Sequence, residues 1–454
     1  MLSNLIDSRE FNNIIGKGPV KIGILSLGCP KNLVDSEALL GDLANKGYKI
    51  VDEVAKSDIA IVNTCAFIED AKKESIDAIL DLIQLKKEGK IKKVIVAGCL
   101  SQRYSKTLRK ELKEVDAFLG IRDFSKNYAP DRLLITPPHF AYVKISDGCD
   151  NKCKYCVISK IRGSYKSRAM GSIVKEIKRL HHSSNGRLGE INLVSQDLTY
   201  YGMDLYGKLS LAKLLYRLDE GNFIKDTKNI KWIRLLYAHP AHFTDELIGA
   251  IKNIGRVCKY IDLPVQHIND KILKTMGRKV TKKYILDLIY KLRNNIPGIA
   301  IRSSLIVGLP GEGEKEFKEL LEFMEEIKFE RLGIFTYSRE EDTPAYNFKN
   351  QVSENIKKQR FQKAMELQQN ISNQINKNFL GKTITVLIDE KDVNDPTSYI
   401  ARSYADAPEV DGQVYVKQVG GEHCSPLLKV GDFVDVKITD TFEYDLVGEY
   451  ESAK

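Results

Sequence analysis

From about residue 20 to about residue 350 the chain alternates short apolar runs with longer stretches whose apolar residues recur every three or four positions. That alternation specifies parallel β/α units, because a parallel partner strand needs a crossover long enough to hold a helix. In the first stretch the strand-like runs are VKIGILSLG, IAIVNTC and KKVIVAGC, each followed by a helical pattern such as SEALLGDLANKG. Periodicity then lapses over the Pro-rich NYAPDRLLITPPHF, which reads as a linker. Six further strands follow: AYVKIS, EINLVSQ, KWIRLLY, YIDLPVQ, AIRSSLIVG and RLGIFTYS. Six units are two short of a closed eightfold barrel, so this region is expected to be a partial (β/α)6 barrel with an open side.

A polar helical connector rich in Gln, Asn and Lys comes next, and then five short strands: TITVLIDE, YIARSY, GQVYVK, DFVDVKITDT and DLVGEY. Five strands in about seventy residues fit a small OB-like β-barrel. The fold class is therefore α/β with a small all-β terminal unit. The expected divisions are an extension at 1–19, a parallel α/β domain at 20–130, the partial barrel at 140–350, the connector at 351–381 and the β-barrel at 382–454. The extension is expected to be disordered.

Charge refines this picture. The whole chain carries 70 Lys+Arg against 61 Asp+Glu, a net +9. Residues 382–454 hold 7 Lys+Arg against 15 Asp+Glu, a net −8, which leaves +17 for the rest. No apolar run approaches the ~18 residues that cross a bilayer, so no membrane association is expected. The start, MLSNLIDSREFNNIIGKG, lacks the basic-then-apolar form of a secretory signal. Eight cysteines in 454 residues are too dilute for a disulfide scaffold and fit reduced thiols in a cytoplasmic setting.

Spacing gives those cysteines a use. Cys149, Cys153 and Cys156 lie in ISDGCDNKCKYC, just after a predicted strand. Three thiolates on one loop suit three corners of a cubane iron–sulfur cluster, leaving the fourth iron for another ligand. A structural zinc loop is the simpler alternative, but zinc favours paired two-residue spacings and a fourth protein ligand. Cys29, Cys65 and Cys99 stand 36 and 34 residues apart, once per β/α unit, each at or just past the carboxyl end of its strand. Such ends open on the ligand crevice of a parallel sheet, so the three suit a shared metal site; small buried cysteines are the alternative. Cys258 and Cys424 have no partner at useful spacing and read as structural.

SLGCPKNLVDSE, VNTCAFI, VAGCL, ISDGCDNKCKYC, DLPVQH and MGRK occur in that order. With the barrel and the terminal domain they resemble the radical S-adenosylmethionine methylthiotransferase family, over about Lys21 to Tyr450. The resemblance implies a methylthiotransferase domain, a radical-SAM barrel and a TRAM domain. It also implies two 4Fe-4S clusters, one held by Cys149, Cys153 and Cys156 and a second by Cys29, Cys65 and Cys99. The first would bind S-adenosylmethionine and cleave it reductively to methionine and a 5′-deoxyadenosyl radical. The second would carry the sulfur that is methylated and transferred.

Strand-end residues Gln196 and Asp197, Tyr237 and His239, Gln266 and His267, and Tyr337 with Ser338 are candidates to line the cofactor pocket. Of these Gln196 and Asp197 stand where the family has a Gly-Gly-Glu segment, and Gly308 and Gly311 would let backbone approach the adenosyl group. A plain tight turn is the alternative for the glycines, and local hydrogen bonding for His239 and His267. Lys160, Arg162, Lys166 and Arg168 form a basic run after the cysteine loop; a solvated face is the bland reading, and pairing with a cofactor or substrate carboxylate the functional one. The AHP of YAHP is not mapped onto the family pattern.

Within the family, SLGCPKN and VSQD resemble the branch that methylthiolates the β-carbon of an aspartate in ribosomal protein S-twelve of the small subunit. The branch acting on transfer-RNA adenosine more often reads GCQMN and GQN. An acidic terminal barrel suits a basic protein better than RNA phosphate, so direct transfer-RNA binding is not expected. A one-electron donor and a sulfur donor are implied partners. Two alternatives remain: a transfer-RNA methylthiotransferase, and a non-enzymatic metal-stabilised binding protein.

Overall fold

The computed structural model describes residues 20–122, 124, 130–393, 395, 397–419 and 428–451, so the extension at 1–19 and Cys424 lie outside it. The first unit is a parallel sheet of β1 (Lys21–Ser26), β2 (Lys49–Ile50), β3 (Ile59–Thr64), β4 (Lys93–Gly98) and β5 (Ala117–Phe118), in the order β2-β1-β3-β4-β5. The two outer strands have two residues each, too few to produce a periodic signal. Helices Pro30–Asn45, Glu69–Lys87 and Cys99–Glu111 follow β1, β3 and β4. β3 is buried along its whole length, as a central strand covered on both faces must be. Ile22, Leu39, Leu43 and Ile95 pack one face, and Val62, Ile79 and Val96 the other. Winding reverses between β1 and β3, which makes their carboxyl ends the switch point of the sheet.

β6 (Phe140–Lys144) leads into a two-stranded ribbon, β7 (Ser146–Asp147) and β8 (Lys166–Ser167), that brackets the cysteine loop. Parallel strands β9 (Glu190–Val194) and β10 (Trp232–Leu235) continue from β6. A second parallel set holds β11 (Tyr260–Asp262), β12 (Ala300–Val307) and β13 (Arg331–Thr336). The bridge Ile233–Val257 joins the two sets, so all six expected strands line up as an open barrel. Ile191, Leu193, Ile233, Ile261, Ile301 and Leu305 face the surrounding helices in one apolar core. After helix Glu354–Lys377, β14 (Thr383–Lys391), β15 (Ser398–Ser403), β16 (Val414–Val419), β17 (Phe433–Thr441) and β18 (Leu446–Glu451) close the small barrel in the order β14-β15-β16-β18-β17.

Two expectations change in three dimensions. The Pro-rich linker is not a free tether. Arg132 is buried between Glu37 of the first unit and Glu176 of a barrel helix; its Nη1 donates to Glu176 at 2.6 Å and to the Tyr142 carbonyl at 2.7 Å.

The acidic terminal barrel is also less free than its charge count suggests. The segment between β15 and β16 enters the amino end of the large barrel, where Ala405 and Ala407 join a core with Tyr142, Trp232 and Tyr260. Arg331 Nε donates to Asp406 at 2.7 Å, Arg302 Nε to Asp411 at 3.1 Å, and Arg402 pairs with Glu190 at 2.8 Å. The Tyr260 hydroxyl donates to Asp411 at 2.7 Å and that of Tyr142 to the exposed Glu409 at 3.1 Å. The acids at 406 and 411 thus neutralise barrel arginines rather than face solvent. Asp406→Ala should cost about 3–5 kcal/mol, because it leaves Arg331 buried and unpaired; denaturant unfolding checks this through a lower midpoint.

Candidate active site at the mouth of the barrel

Because its amino end is filled, the large barrel is left with its carboxyl end for chemistry, and both cysteine sets lie there. Cys29, Cys65 and Cys99 follow β1, β3 and β4, and side chains pin these three ends together. Asn32 Nδ2 donates to the carbonyls of Leu27 and Thr64, both at 2.9 Å, while its Oδ1 lies 3.8 Å from Cys99 Sγ. Gly28 has φ +84°, and a Cβ there would sit 2.7 Å from Cys65 Cβ, so only glycine lets the first thiol loop touch the second. The convergence expected from equivalent strand ends is present.

The second set is held as firmly. Gly148 has φ +78°, and a Cβ there would lie 2.2 Å from the Ser164 carbonyl oxygen. Cys149 N donates to the Gly163 carbonyl at 3.2 Å, and Lys154 N to that of Met276 at 2.9 Å. Arg278, two residues on, presents its buried guanidinium to the Cys153 thiol, so MGRK braces the cysteine loop. All six cysteines are free thiols. Burial pushes Cys99 and Cys156 up to about 12 and Cys149 up to about 11. At Cys29 burial raises the thiol, but Lys31 and Arg162 outweigh it and the net shift is downward. Thiols so buried become thiolates when a cation takes the proton's place, so the donor chemistry fits iron–sulfur clusters.

Between the sets lies a buried ionic quartet that sequence reading missed. Arg162 Nη1 donates to Asp35 at 3.0 Å and to Asp147 at 3.0 Å, and Lys144 donates to Asp147 at 2.9 Å and also pairs with Asp35. A lysine inside the apolar strand AYVKIS was the available signal. The basic run is therefore no uniform solvated face. Lys160 and Lys166 are exposed, whereas Arg162 and Arg168 are buried, the latter paired with Glu176 at 2.6 Å. Neither buried arginine is left over for a substrate carboxylate.

Gln196 donates to Asp147 at 2.8 Å, and its Oε1 is buried without a partner. Asp197 accepts from Asn151 at 2.7 Å and pairs with His242 at 2.8 Å. Asp150, Asn151, Tyr165, Tyr200 and Lys279 line a pocket with Asp197 and His242. His242, two residues past YAHP, was not among the sequence candidates. His239 and His267 each accept from a backbone N–H two residues on, the local role that was their alternative reading. At the Gly308–Gly311 turn, Glu312 accepts from Gly308 N at 3.0 Å and pairs with Arg360 at 2.8 Å, so that amide is already engaged. Tyr237 lies under Lys31 Nζ, 3.3 Å from the ring centroid, and joins the first unit to the barrel mouth. Cys258 is buried in the barrel core as expected.

Family models match residues 21–120 (uncharacterized protein family UPF0004), 143–324 (radical SAM superfamily) and 380–450 (TRAM domain). Ribosomal protein uS12 methylthiotransferase RimO of Clostridium novyi (strain NT) is 48% identical over 452 residues, covering 94% of this chain and 97% of that one. Its namesake in Clostridioides difficile (strain 630) is 45% identical, covering 96% of this chain and 100% of that one. The chain belongs to the RimO family. A more distant likeness is to the radical S-adenosylmethionine methyltransferase TsrM from Kitasatospora setae, with a TM-score of 0.49, 13% identity, and 72% and 74% of the two chains covered. The RimO-family chain is accordingly a radical S-adenosylmethionine methylthiotransferase, with 4Fe-4S clusters and S-adenosylmethionine as cofactors. No described helix is long and apolar enough to cross a membrane.

Proposed function

We propose that this chain methylthiolates the β-carbon of an aspartate in ribosomal protein uS12, as the names of its relatives indicate. The observation that carries the reading is the meeting of two cysteine sets, from separate units, at one barrel mouth. Cys149, Cys153 and Cys156 would hold a cluster that supplies the electron for reductive cleavage of S-adenosylmethionine, and Cys29, Cys65 and Cys99 would hold one that supplies sulfur. Together these groups supply a radical able to take hydrogen from an unactivated carbon, and the sulfur that replaces it.

The chain's own residues fix where this happens. Gly148 and Arg278 hold the Cys149 loop, Asn32 gathers the Cys29, Cys65 and Cys99 set, and the filled amino end confines access to the mouth. Gln196, with its free Oε1, Asp197, and the Gly308 and Gly311 turn braced by Glu312 are the residues this reading assigns to S-adenosylmethionine. The divisions at 20–130, 140–350 and 382–454 are the domains of this reading. A one-electron donor and a sulfur donor complete the reaction, in the cytoplasm.

The test offers isolated uS12 and isolated transfer RNA to the reconstituted enzyme and follows both by mass spectrometry. The expected result is methylthiolation of the aspartate; modification of the RNA alone overturns the substrate assignment. Rising salt should weaken uS12 capture by the wild-type chain, and charge reversal at the exposed Asp440, Glu443 and Glu449 should weaken it most at low salt while leaving S-adenosylmethionine cleavage intact.

A further inference from the structure

Arg162 is the side chain in which the two cysteine sets meet. It ends the short helix Ile158–Arg162 that follows Cys156, and its side chain is 1% exposed. One edge of the guanidinium turns to the first unit: Nη2 donates to Asn32 Oδ1 at 2.9 Å and lies 3.6 Å from Cys99 Sγ. Nη1 turns to the other set. It donates to both oxygens of Asp147, at 3.2 and 3.0 Å, and Asp147 in turn accepts from Gly148 N at 3.0 Å, directly before Cys149.

Arg162, Lys144, Asp35 and Asp147 form a charge-balanced group beside the Cys29, Cys65 and Cys99 set. Positive charge and N–H donors at a ligating sulfur stabilise the reduced, more negative state of an iron–sulfur cluster and raise its potential. Negative charge nearby does the reverse. We propose that Arg162 is a positioning residue which sets the reduction potential of the second cluster through Cys99, with Asp147 as the counterweight that links this setting to the Cys149 loop. The inference rests on the assignment of Cys29, Cys65 and Cys99 as ligands of that cluster.

The test isolates the second cluster in the full chain by replacing Cys149, Cys153 and Cys156 with Ala. Iron and sulfide are assayed, and the midpoint potential is read by electron paramagnetic resonance during a redox titration. About four irons per chain are expected. Arg162→Gln should move the midpoint to lower potential, Arg162→Lys should move it less in the same direction, and Asp147→Asn should move it to higher potential. Opposite shifts from two substitutions in one ionic group cannot arise from a common loss of folding. A chain without iron overturns the ligand assignment and this inference with it. A chain with about four irons whose midpoint stays fixed in all three variants overturns the role of Arg162 alone.

Discussion

Cys153→Ala is expected to bring 5′-deoxyadenosine formation down to the level seen without enzyme. In the proposed reading three thiols on one loop leave no spare ligand, so losing one loses the cluster and, with it, the open iron that would bind the cofactor. Cys153 is also the thiol that Arg278 faces, and the loop around it is fixed to Met276 and Ala345 by backbone hydrogen bonds. A distant cysteine therefore has no route into its place. The assay is chromatography of the reaction under strong reductant. Deoxyadenosine at the wild-type rate would remove the loop from the radical step.

Cys65→Ala should separate the two halves of the reaction. Cys65 follows β3 in the first unit, and its nearest structural ties are to the Cys29 loop and to Ser75, whose hydroxyl it meets through its own backbone. None of these reaches the Cys149 loop. Under strong reductant the variant should still form deoxyadenosine while methylthiolated product falls below detection. Full product formation by a variant lacking Cys29, Cys65 and Cys99 together would reject a role for that set in transfer.

The legibility of the sequence differed by kind of feature. Strand and helix periodicity is set by neighbours a few residues apart, so all six large-barrel strands and all five small-barrel strands were readable. β2 and β5 were not, because two residues carry no period and their pairing comes from the sheet they join. Cys149, Cys153 and Cys156 were readable because their geometry is held within a single loop. The convergence of Cys29, Cys65 and Cys99 followed from a topological rule, since parallel strands of one sheet place equivalent residues at one edge.

Charge behaved differently. A count over residues 382–454 treats every carboxylate as free, yet Asp389, Asp406 and Asp411 are engaged by Arg402, Arg331 and Arg302. In the run Lys160, Arg162, Lys166 and Arg168, local spacing says nothing about which members turn inward; the first unit and the helix bearing Glu176 decide it. His242 entered the pocket in the same way, through Asp197 far away in the chain. The sequence by itself determined the elements and their order, because these depend on local pattern. Only the tertiary structure decided which charges are buried and what they face. An ion pair is a contact between distant segments, and its strength depends on the water that packing excludes.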